Sequence, residues 1–182
     1  MSLSKLAAIF FFLICSLQKI YAQIDYRNTT IYLVRHAEKD TGNNPTLTEG
    51  GRHRAGDLMR YLKKAKINHI YSTAYKRTEM TGDSLRVNRA IEMVNYPPKA
   101  NWMELTELLK KNNDLGKTVL FIGHSNTIPL LIKTFGIADF PQADLPDNSF
   151  DDIFIIRYKK GKAVVKRKKY GQPSDKSAVM LK

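Results

Sequence analysis

Residues 30–36, Thr-Ile-Tyr-Leu-Val-Arg-His, and residues 118–124, Thr-Val-Leu-Phe-Ile-Gly-His, are two nearly continuous apolar runs, and each of them ends in a histidine. Strands at the centre of a parallel sheet are buried on both faces, so their sequences show apolar runs without polar alternation. The two runs therefore predict central strands of a mostly parallel sheet that is covered by helices on both faces.

The segments around these runs complete the predicted domain. Short stretches rich in β-branched and aromatic residues predict further strands at 67–72, 91–95 and 153–158. The intervening segments predict helices at 48–65, 75–87, 102–112 and 127–135, so that strands and helices alternate throughout. This alternation is typical of a three-layer α/β/α domain, and 182 residues fit one such domain.

The N-terminal residues predict a signal peptide. Lys5 stands ahead of an apolar run over residues 6–17, which is too short to cross the roughly 30 Å hydrocarbon layer of a membrane. Ala22 supplies a small residue for cleavage, so we expect residues 1–22 to be removed. The protein would then be exported, to the periplasm or the extracellular space, with no membrane span. A buried N-terminal helix and a retained membrane anchor are the alternatives.

The mature chain would consist of one domain over residues 23–170 and a flexible tail over residues 171–182. Gly, Pro, Ser and charged residues stand in this tail without periodicity. Cys15 is the only cysteine and lies inside the predicted signal. Disulfides, thiolate zinc sites and a cysteine nucleophile are therefore excluded from the mature chain.

The chain is strongly basic, which favours acidic or phosphorylated partners. Its formal charge is +13, and loss of Lys5 and Lys19 with the signal leaves +11. Seven of the cations form a C-terminal run: Lys159, Lys160, Lys162, Lys166, Arg167, Lys168 and Lys169. The run alternates with valines as an exposed strand edge does, and no aromatic stacking motif accompanies it. We therefore expect no nucleic-acid partner.

Two histidines and two arginines are predicted to meet at one edge of the sheet. His36 and His124 each follow a central strand, and ligands of such sheets bind beyond the carboxyl ends of the strands. Arg35 precedes His36, and Arg77 stands at the start of a helix after the strand at 67–72. Guanidinium groups bind phosphoryl oxygens through paired, permanently charged contacts. A neutral imidazole that faces them can attack phosphorus.

Four elements in order resemble the histidine phosphatase superfamily, also called phosphoglycerate mutase-like. The first resembles the arginine-histidine-glycine signature, with Ala37 in place of the glycine. The elements are Leu33-Val-Arg-His-Ala-Glu38, then Leu47-Thr48 with Gly51 and Ala55, then Ile70-Tyr-Ser-Thr73 with Arg77-Thr78 and Thr81, and Gly123-His-Ser-Asn126. Together they cover most of residues 31–135.

The resemblance implies that His36 becomes a phosphohistidine, while Arg35, Arg77 and His124 hold the phosphoryl group. Water would then release phosphate, with no metal or other cofactor. We expect His124 to be able to carry a positive charge. Ser125 and Asn126 are expected to add hydrogen bonds to the phosphate at a helix N-terminus. The other two histidines, His53 and His69, lie outside the four elements and are expected to be structural or exposed.

The sequence does not determine which residue donates a proton to the leaving group. The acid phosphatase branch of the family has an aspartate directly after its second histidine, where this chain has Ser125. The mutase branch has a glutamate within an insertion, but the interval between Arg77 and His124 is short here. Glu104, near the start of a helix, and Glu38, beside the nucleophile, are the candidates.

The sequence thus predicts an exported, cofactor-independent phosphatase of small phosphomonoesters. A phosphomutase is one alternative, and a protein that binds phosphate or a phosphosugar with little turnover is another. A basic protein that binds polyanions is the third. The sequence leaves the natural substrate and the oligomeric state open.

Overall fold

A computed structural model describes residues 26–159 and 161–174 of the chain. Strands β1 to β6 and helices α1 to α4 run in the order β1 Thr30–Arg35, α1 Glu49–Tyr61, β2 Ile67–Ser72, α2 Lys76–Arg89, β3 Glu92–Asn95, α3 Trp102–Lys111, β4 Thr118–Gly123, α4 Thr127–Thr134, β5 Asp152–Lys159 and β6 Lys162–Lys169. The predicted strands at 30–35, 67–72 and 118–123 agree with β1, β2 and β4. The other elements differ by one to four residues at their ends.

The six strands form one sheet in the order β3-β2-β4-β1-β5-β6. The first four of these are parallel, and β5 and β6 are antiparallel to their neighbours. The prediction of a mostly parallel sheet is thereby confirmed. The prediction of strand-helix alternation throughout is wrong at the end of the chain, where β5 and β6 form a hairpin. Gly161 has φ +76° in its turn, a left-handed conformation that glycine adopts without steric cost.

The central strands are buried on both faces, as their apolar runs predict. In β1, Ile31 and Leu33 belong to a core cluster that also contains Leu105 of α3 and Ile132 of α4. Val34 belongs to a second cluster on the other face of the sheet, and leucines of α1 and α2 complete that cluster. The three-layer α/β/α arrangement is therefore confirmed. Each such fully buried apolar side chain contributes roughly 1.5 to 3 kcal/mol of transfer free energy.

Helix α1 is shorter than predicted at its C-terminal end. Thr48 caps its first turn, since Thr48 Oγ1 accepts a hydrogen bond of 3.1 Å from the backbone N–H of Gly51. At the other end the N–H of Leu62 donates to the carbonyl groups of Leu58 and Arg60, which closes the helix at Tyr61. The lysine-rich residues that follow form a turn and lead into β2.

Five residues of the C-terminal basic run, Lys162, Lys166, Arg167, Lys168 and Lys169, lie in β6, an edge strand of the sheet. The expectation of an exposed strand edge is confirmed. Two of its cations pair with acids at the start of β5: Arg167 Nε lies 2.7 Å from Oδ1 of Asp152, and Lys169 Nζ lies 2.8 Å from Oδ1 of Asp151, the residue before the strand. The hairpin is therefore held by cross-strand ion pairs at the end that lies nearest to the predicted site.

The first residues of the predicted tail lie against the domain. Arg54 Nη1 donates a 2.9 Å hydrogen bond to the carbonyl of Gln172, and Ser174 Oγ accepts one of 2.8 Å from the backbone N–H of Phe150. The predicted signal peptide and residues 175–182 lie outside the described residues. Among the described helices, none combines the length and the apolar character that a membrane crossing requires.

Candidate active site

The two strand-end histidines meet because β1 and β4 are neighbours in the sheet. Arg35 pairs with Gly123 in their register, and the backbone N–H of His36 donates to the Gly123 carbonyl at 2.9 Å. The ring centroids of His36 and His124 are 5.4 Å apart. Both side chains are buried, with 4% and 9% exposure. The predicted juxtaposition of the two histidines is confirmed.

His36 is held in one tautomer by its neighbour in sequence. Its Nδ1 lies 2.8 Å from the carbonyl oxygen of Ala37, which can only accept a hydrogen bond, so Nδ1 carries the proton. The Nε2 atom then has a free lone pair. Burial lowers the pKa of His36 to about 3, and the charges of Arg35 and Arg77 act in the same direction against the opposing effect of the Ala37 carbonyl. His36 is therefore neutral at neutral pH, and its Nε2 lone pair is available for a nucleophilic attack.

His124 is fixed through both of its ring nitrogens. Arg77 Nη2 lies 3.3 Å from Nδ1, and a guanidinium can only donate, so Nδ1 accepts and Nε2 carries the proton. That proton is directed to Thr73 Oγ1 at 2.9 Å. Burial, followed by the charges of Arg77 and Arg35, lowers the pKa of His124 to about 4. His124 is thus neutral in the ligand-free site, because burial and the two nearby guanidiniums all disfavour a positive charge on it.

Arg35 is anchored by the loop that precedes β5. Its Nη1 donates to the carbonyl groups of Pro146 at 2.9 Å and Asp147 at 3.0 Å, and its Cζ lies 4.2 Å from the ring centroid of Phe150. Burial lowers the pKa of Arg35, while the charges of Asp147 and Glu38 oppose this effect. The guanidinium stays charged because even a lowered arginine pKa lies far above neutrality.

Arg77 stands in the first turn of α2, and its Cζ lies 4.4 Å from the ring centroid of Tyr75. Burial lowers its pKa, and Tyr75 opposes the effect. The Nε atoms of Arg77 and Arg35 are both buried, and no group of the described residues accepts a hydrogen bond from either. Buried donors in native proteins are almost always paired. Two charged, unpaired donors beside one histidine pair therefore form a site suited to an anion.

Ser125 and Asn126 lie between β4 and α4, as predicted, but the structure gives them different surroundings. The Ser125 carbonyl accepts a hydrogen bond of 3.1 Å from the N–H of Leu145, and Ser125 is half-buried. Asn126 is exposed and its side chain caps nothing. The first turn of α4 is instead tied to the site by Thr127, whose Oγ1 accepts from the N–H of His124 at 2.7 Å.

Both candidate proton donors are engaged elsewhere. The two carboxylate oxygens of Glu38 each lie 2.9 Å from Nε of Arg54, whose side chain is only 3% exposed. Glu104 belongs to the capping box of α3, where its Oε2 accepts from the N–H of Asn101 at 2.8 Å. Glu38 is thus beside the nucleophile but held in an ion pair, and Glu104 serves its own helix. The structure shows no hydrogen bond from either carboxylate to a histidine.

Several residues that support the site were not predicted to do so. Thr81 Oγ1 accepts a hydrogen bond from the N–H of Ala37 at 2.9 Å and donates one to the carbonyl of Arg77 at 2.7 Å. It therefore connects the segment after β1 with the first turn of α2. Thr73 and Thr81 belong to the third family-like element of the sequence, and this position could have indicated their role. Tyr75, Phe150 and Arg54 gave no such signal, because their contacts to the site cross the fold.

The remaining histidines are structural or exposed, as expected. His53 Nε2 lies 3.8 Å from Glu49 Oε1 on the surface of α1, with 78% of the side chain exposed. His69 Nδ1 lies 2.9 Å from the buried carboxylate of Asp114, away from the site. Within residues 26–159 and 161–174, no cluster of three or more His, Cys, Asp or Glu side chains is arranged to hold a metal ion.

Comparison with known families confirms the resemblance. Residues 31–105 match the model of the histidine phosphatase superfamily (branch 1). This range contains the strand that leads to His36 and the element that carries Arg77. A comparison with curated proteins found no match.

Similar solved structures support the fold. YhfR of Bacillus stearothermophilus is 20% identical with a TM-score of 0.56, and the alignment covers 75% of this chain and 95% of that one. Phosphoserine phosphatase of Entamoeba histolytica, in complex with 3-phosphoglyceric acid, is 17% identical with a TM-score of 0.59 over 80% and 98%. The alpha-ribazole phosphatase of Shigella flexneri is 13% identical with a TM-score of 0.56 over 75% and 94%. At these identities the likeness concerns the fold alone.

Proposed function

Since residues 31–105 match the histidine phosphatase superfamily, we propose that this protein hydrolyses phosphomonoesters through a phosphohistidine at His36. The observation that carries this proposal is the set of polar atoms at one sheet edge. They are the free Nε2 lone pair of His36 and the two unpaired guanidinium N–H groups of Arg35 and Arg77. A nucleophile beside unpaired cationic donors is the arrangement that phosphoryl transfer requires.

In the first step Nε2 of His36 attacks phosphorus, so that a P–N bond forms and the ester P–O bond breaks. The leaving oxygen keeps the electron pair of that bond and takes a proton from water. Arg35 and Arg77 stabilise the charge on the phosphoryl oxygens, and His124 is positioned beside them by Thr73. In the second step water attacks phosphorus, inorganic phosphate departs and neutral His36 is restored. No metal takes part in either step.

We also propose that the protein acts outside the cytoplasm. The support is the apolar run after Lys5 and the small residue Ala22 near its end. Small phosphorylated molecules in the periplasm or the surrounding medium would be its substrates. The formal charge of +11 that remains after loss of Lys5 and Lys19 from the total of +13 favours the approach of such anions.

One observation favours a second candidate function. Because Glu38 is paired with Arg54 and Glu104 caps its own helix, neither carboxylate is placed to protonate a leaving group. A protein with this site could bind phosphate or a phosphosugar and turn over slowly. The short interval between Arg77 and His124 speaks against the mutase alternative, which would return a phosphorylated isomer.

The test is phosphate release from p-nitrophenyl phosphate by the purified chain from Gln23 onward, with a chelator present. We expect turnover that disappears in His36→Ala and persists in the matched control His53→Ala. Acid-labile label from a 32P-substrate, trapped on wild type and absent from His36→Ala, would identify the phosphohistidine. Binding of phosphate without any release would establish the second candidate. Unchanged turnover in His36→Ala would refute the proposed nucleophile.

A further inference from the structure

Two aromatic rings flank the paired histidines, one on each side. Tyr75 lies edge-on to His124 with ring centroids 5.2 Å apart, and it also covers Arg77. Phe150 lies 6.1 Å from the ring of His36 and covers Arg35. Each aromatic ring therefore touches one arginine and one histidine of the site. The two rings therefore stand next to the side chains that would hold the phosphoryl group.

The rings remain accessible. Tyr75 is 38% exposed although it contacts two side chains of the site, and Phe150 is half-buried. A large apolar side chain that stays exposed at a binding site offers contact area to a ligand. Aromatic rings prefer edge-to-face or offset contacts with other aromatic rings. An aromatic leaving group is the ligand that best matches the two rings.

The lack of a placed proton donor for the leaving group also favours an aromatic leaving group. Departure of an alkoxide requires a proton from a positioned acid, whereas a phenolate leaves without one because it is a much weaker base. Glu38 and Glu104 are both engaged elsewhere. The site can therefore expel phenols far more readily than aliphatic alcohols.

We propose that this protein selects aryl phosphates, the monoesters of phenols, as its substrates. The inference rests on the proposed phosphatase function and specifies its substrate class. In the reaction the P–O bond to the phenol breaks, the P–N bond to His36 forms, and the phenolate takes its proton from water. Tyr75 and Phe150 hold the aromatic ring while Arg35 and Arg77 hold the phosphoryl group.

One further carboxylate stands near the site and enters the test. Asp147 is exposed in the loop that anchors Arg35, and its charge acts on that guanidinium. If Asp147 were to protonate leaving groups, Asp147→Asn would slow the hydrolysis of alkyl esters much more than that of phenyl esters. Under our proposal Asp147→Asn changes both rates by the same factor.

The first experiment compares kcat/KM for phenyl phosphate and n-butyl phosphate. We expect phenyl phosphate to be favoured by at least about a hundredfold, which is the lower range of what a general acid contributes. Hexafluoroisopropyl phosphate separates the two causes, since its alcohol is about as acidic as phenol but is not aromatic. A preference for phenyl phosphate of roughly three- to tenfold should remain over this ester, from the aromatic contacts.

The second experiment removes one ring. In Tyr75→Leu the remaining preference over hexafluoroisopropyl phosphate should decrease, with a rise in KM for the phenyl ester, because only Phe150 is left to contact the ring. Tyr61→Leu is the matched control, because Tyr61 is 41% exposed on α1 and contacts Tyr170 away from the site. Phe150→Leu gives a second, independent readout should Tyr75→Leu lower the melting temperature.

The outcomes distinguish failure of the proposed substrate class from failure of the proposed phosphatase function. Equal kcat/KM for phenyl and butyl phosphate would overturn the substrate class while leaving the phosphatase function intact. A selective loss of alkyl hydrolysis in Asp147→Asn would overturn it as well. No phosphate release from phenyl phosphate or p-nitrophenyl phosphate would overturn the proposed function itself, and the substrate class with it.

Discussion

The hydroxyl of Thr73 lies 2.9 Å from Nε2 of His124, although the two residues are 51 positions apart in the chain. Thr73 follows β2 and His124 follows β4, and β2 and β4 are neighbours in the parallel sheet. The same Thr73 oxygen lies 3.0 Å from Thr78 Oγ1 in α2. The segment after β2 therefore orients the second histidine and leaves its Nδ1 to Arg77.

Thr73→Val should reduce turnover and stability together. The variant keeps the shape of the side chain but leaves the buried N–H of His124 without its partner, which costs about 1 to 3 kcal/mol. We expect kcat to fall while KM changes little, measured by phosphate release, and the free energy of unfolding in urea to decrease by that amount. Thr106→Val is the control, because Thr106 Oγ1 bonds Tyr26 Oη at 2.6 Å away from the site. Similar losses of turnover in both variants would argue against orientation of His124 by Thr73.

The pH dependence of stability should report the buried histidines. The pKa values of His36 and His124 are lowered to about 3 and about 4 in the folded state, below the ordinary value of about 6.5. Between these values and pH 6.5 the unfolded chain binds more protons at these positions, so stability decreases as the pH falls. The stabilisation is complete above pH 6.5.

We expect the free energy of unfolding to fall between pH 7 and pH 5, and the His36→Asn variant to show a smaller fall. His53→Asn should follow the wild type, because the His53 side chain is exposed. Urea titrations at the two pH values measure the difference. A pH dependence that His36→Asn leaves unaltered would mean that His36 is not held in its neutral form.

Removal of one partner from the Glu38–Arg54 pair should destabilise the fold strongly. The pair is bidentate and its side chains are 15% and 3% exposed, so an unpaired partner would be a buried charge. Arg54→Met should lower the free energy of unfolding by about 3 to 5 kcal/mol. The double variant Glu38→Gln with Arg54→Met should recover part of this loss, because no buried charge is left. Thermal and urea unfolding of the wild type, Glu38→Gln, Arg54→Met and the double variant measure the coupling.

The same pair gives a test of the proton donor. If Glu38 is only a structural ion-pair partner, Glu38→Gln should keep the dependence of kcat/KM on leaving-group acidity that the wild type shows. A steeper dependence in Glu38→Gln would instead assign Glu38 as the general acid.

Gly51 and Gly50 offer neighbouring substitutions with opposite expected effects. A Cβ atom at Gly51 would lie 2.0 Å from the carbonyl oxygen of Glu38, so Gly51→Ala must displace the loop that carries His36. A Cβ atom at Gly50 would come no closer to its surroundings than 3.8 Å, to Thr48 Oγ1. We expect Gly51→Ala to cost about 1 to 3 kcal/mol and to reduce turnover. Gly50→Ala should keep turnover and stabilise α1 by about 0.5 to 1 kcal/mol. Melting curves and initial rates of both variants provide the measurement.

The sequence predicts those strands in which consecutive residues are apolar and buried. Strands β1 and β4 carry continuous apolar runs, and their parallel pairing brings His36 and His124 together as expected. The basic run was expected to be an exposed strand edge, but two inward-facing residues, Ala163 and Val165, are too few to show which strand it pairs with. The antiparallel pairing of β6 with β5 was therefore not predicted.

The partners of the site residues could not be predicted in the same way. Arg54 is one of many basic residues in the chain, and its pairing with Glu38 depends on how α1 packs against the loop after β1. Phe150 reaches Arg35 from the loop before β5, a contact between distant parts of the chain. Such contacts are set by tertiary packing, which the local pattern does not encode.

The two edges of the sheet differ in a way that bears on how the protein behaves at high concentration. Exposed strand edges have free backbone groups that can pair with another chain and start aggregation. At one edge β3 is only four residues long, and at the other Lys162, Lys166 and Lys168 line β6. One edge is too short to act as a template and the other repels its own copies. Both features disfavour pairing between the sheets of two copies of the chain.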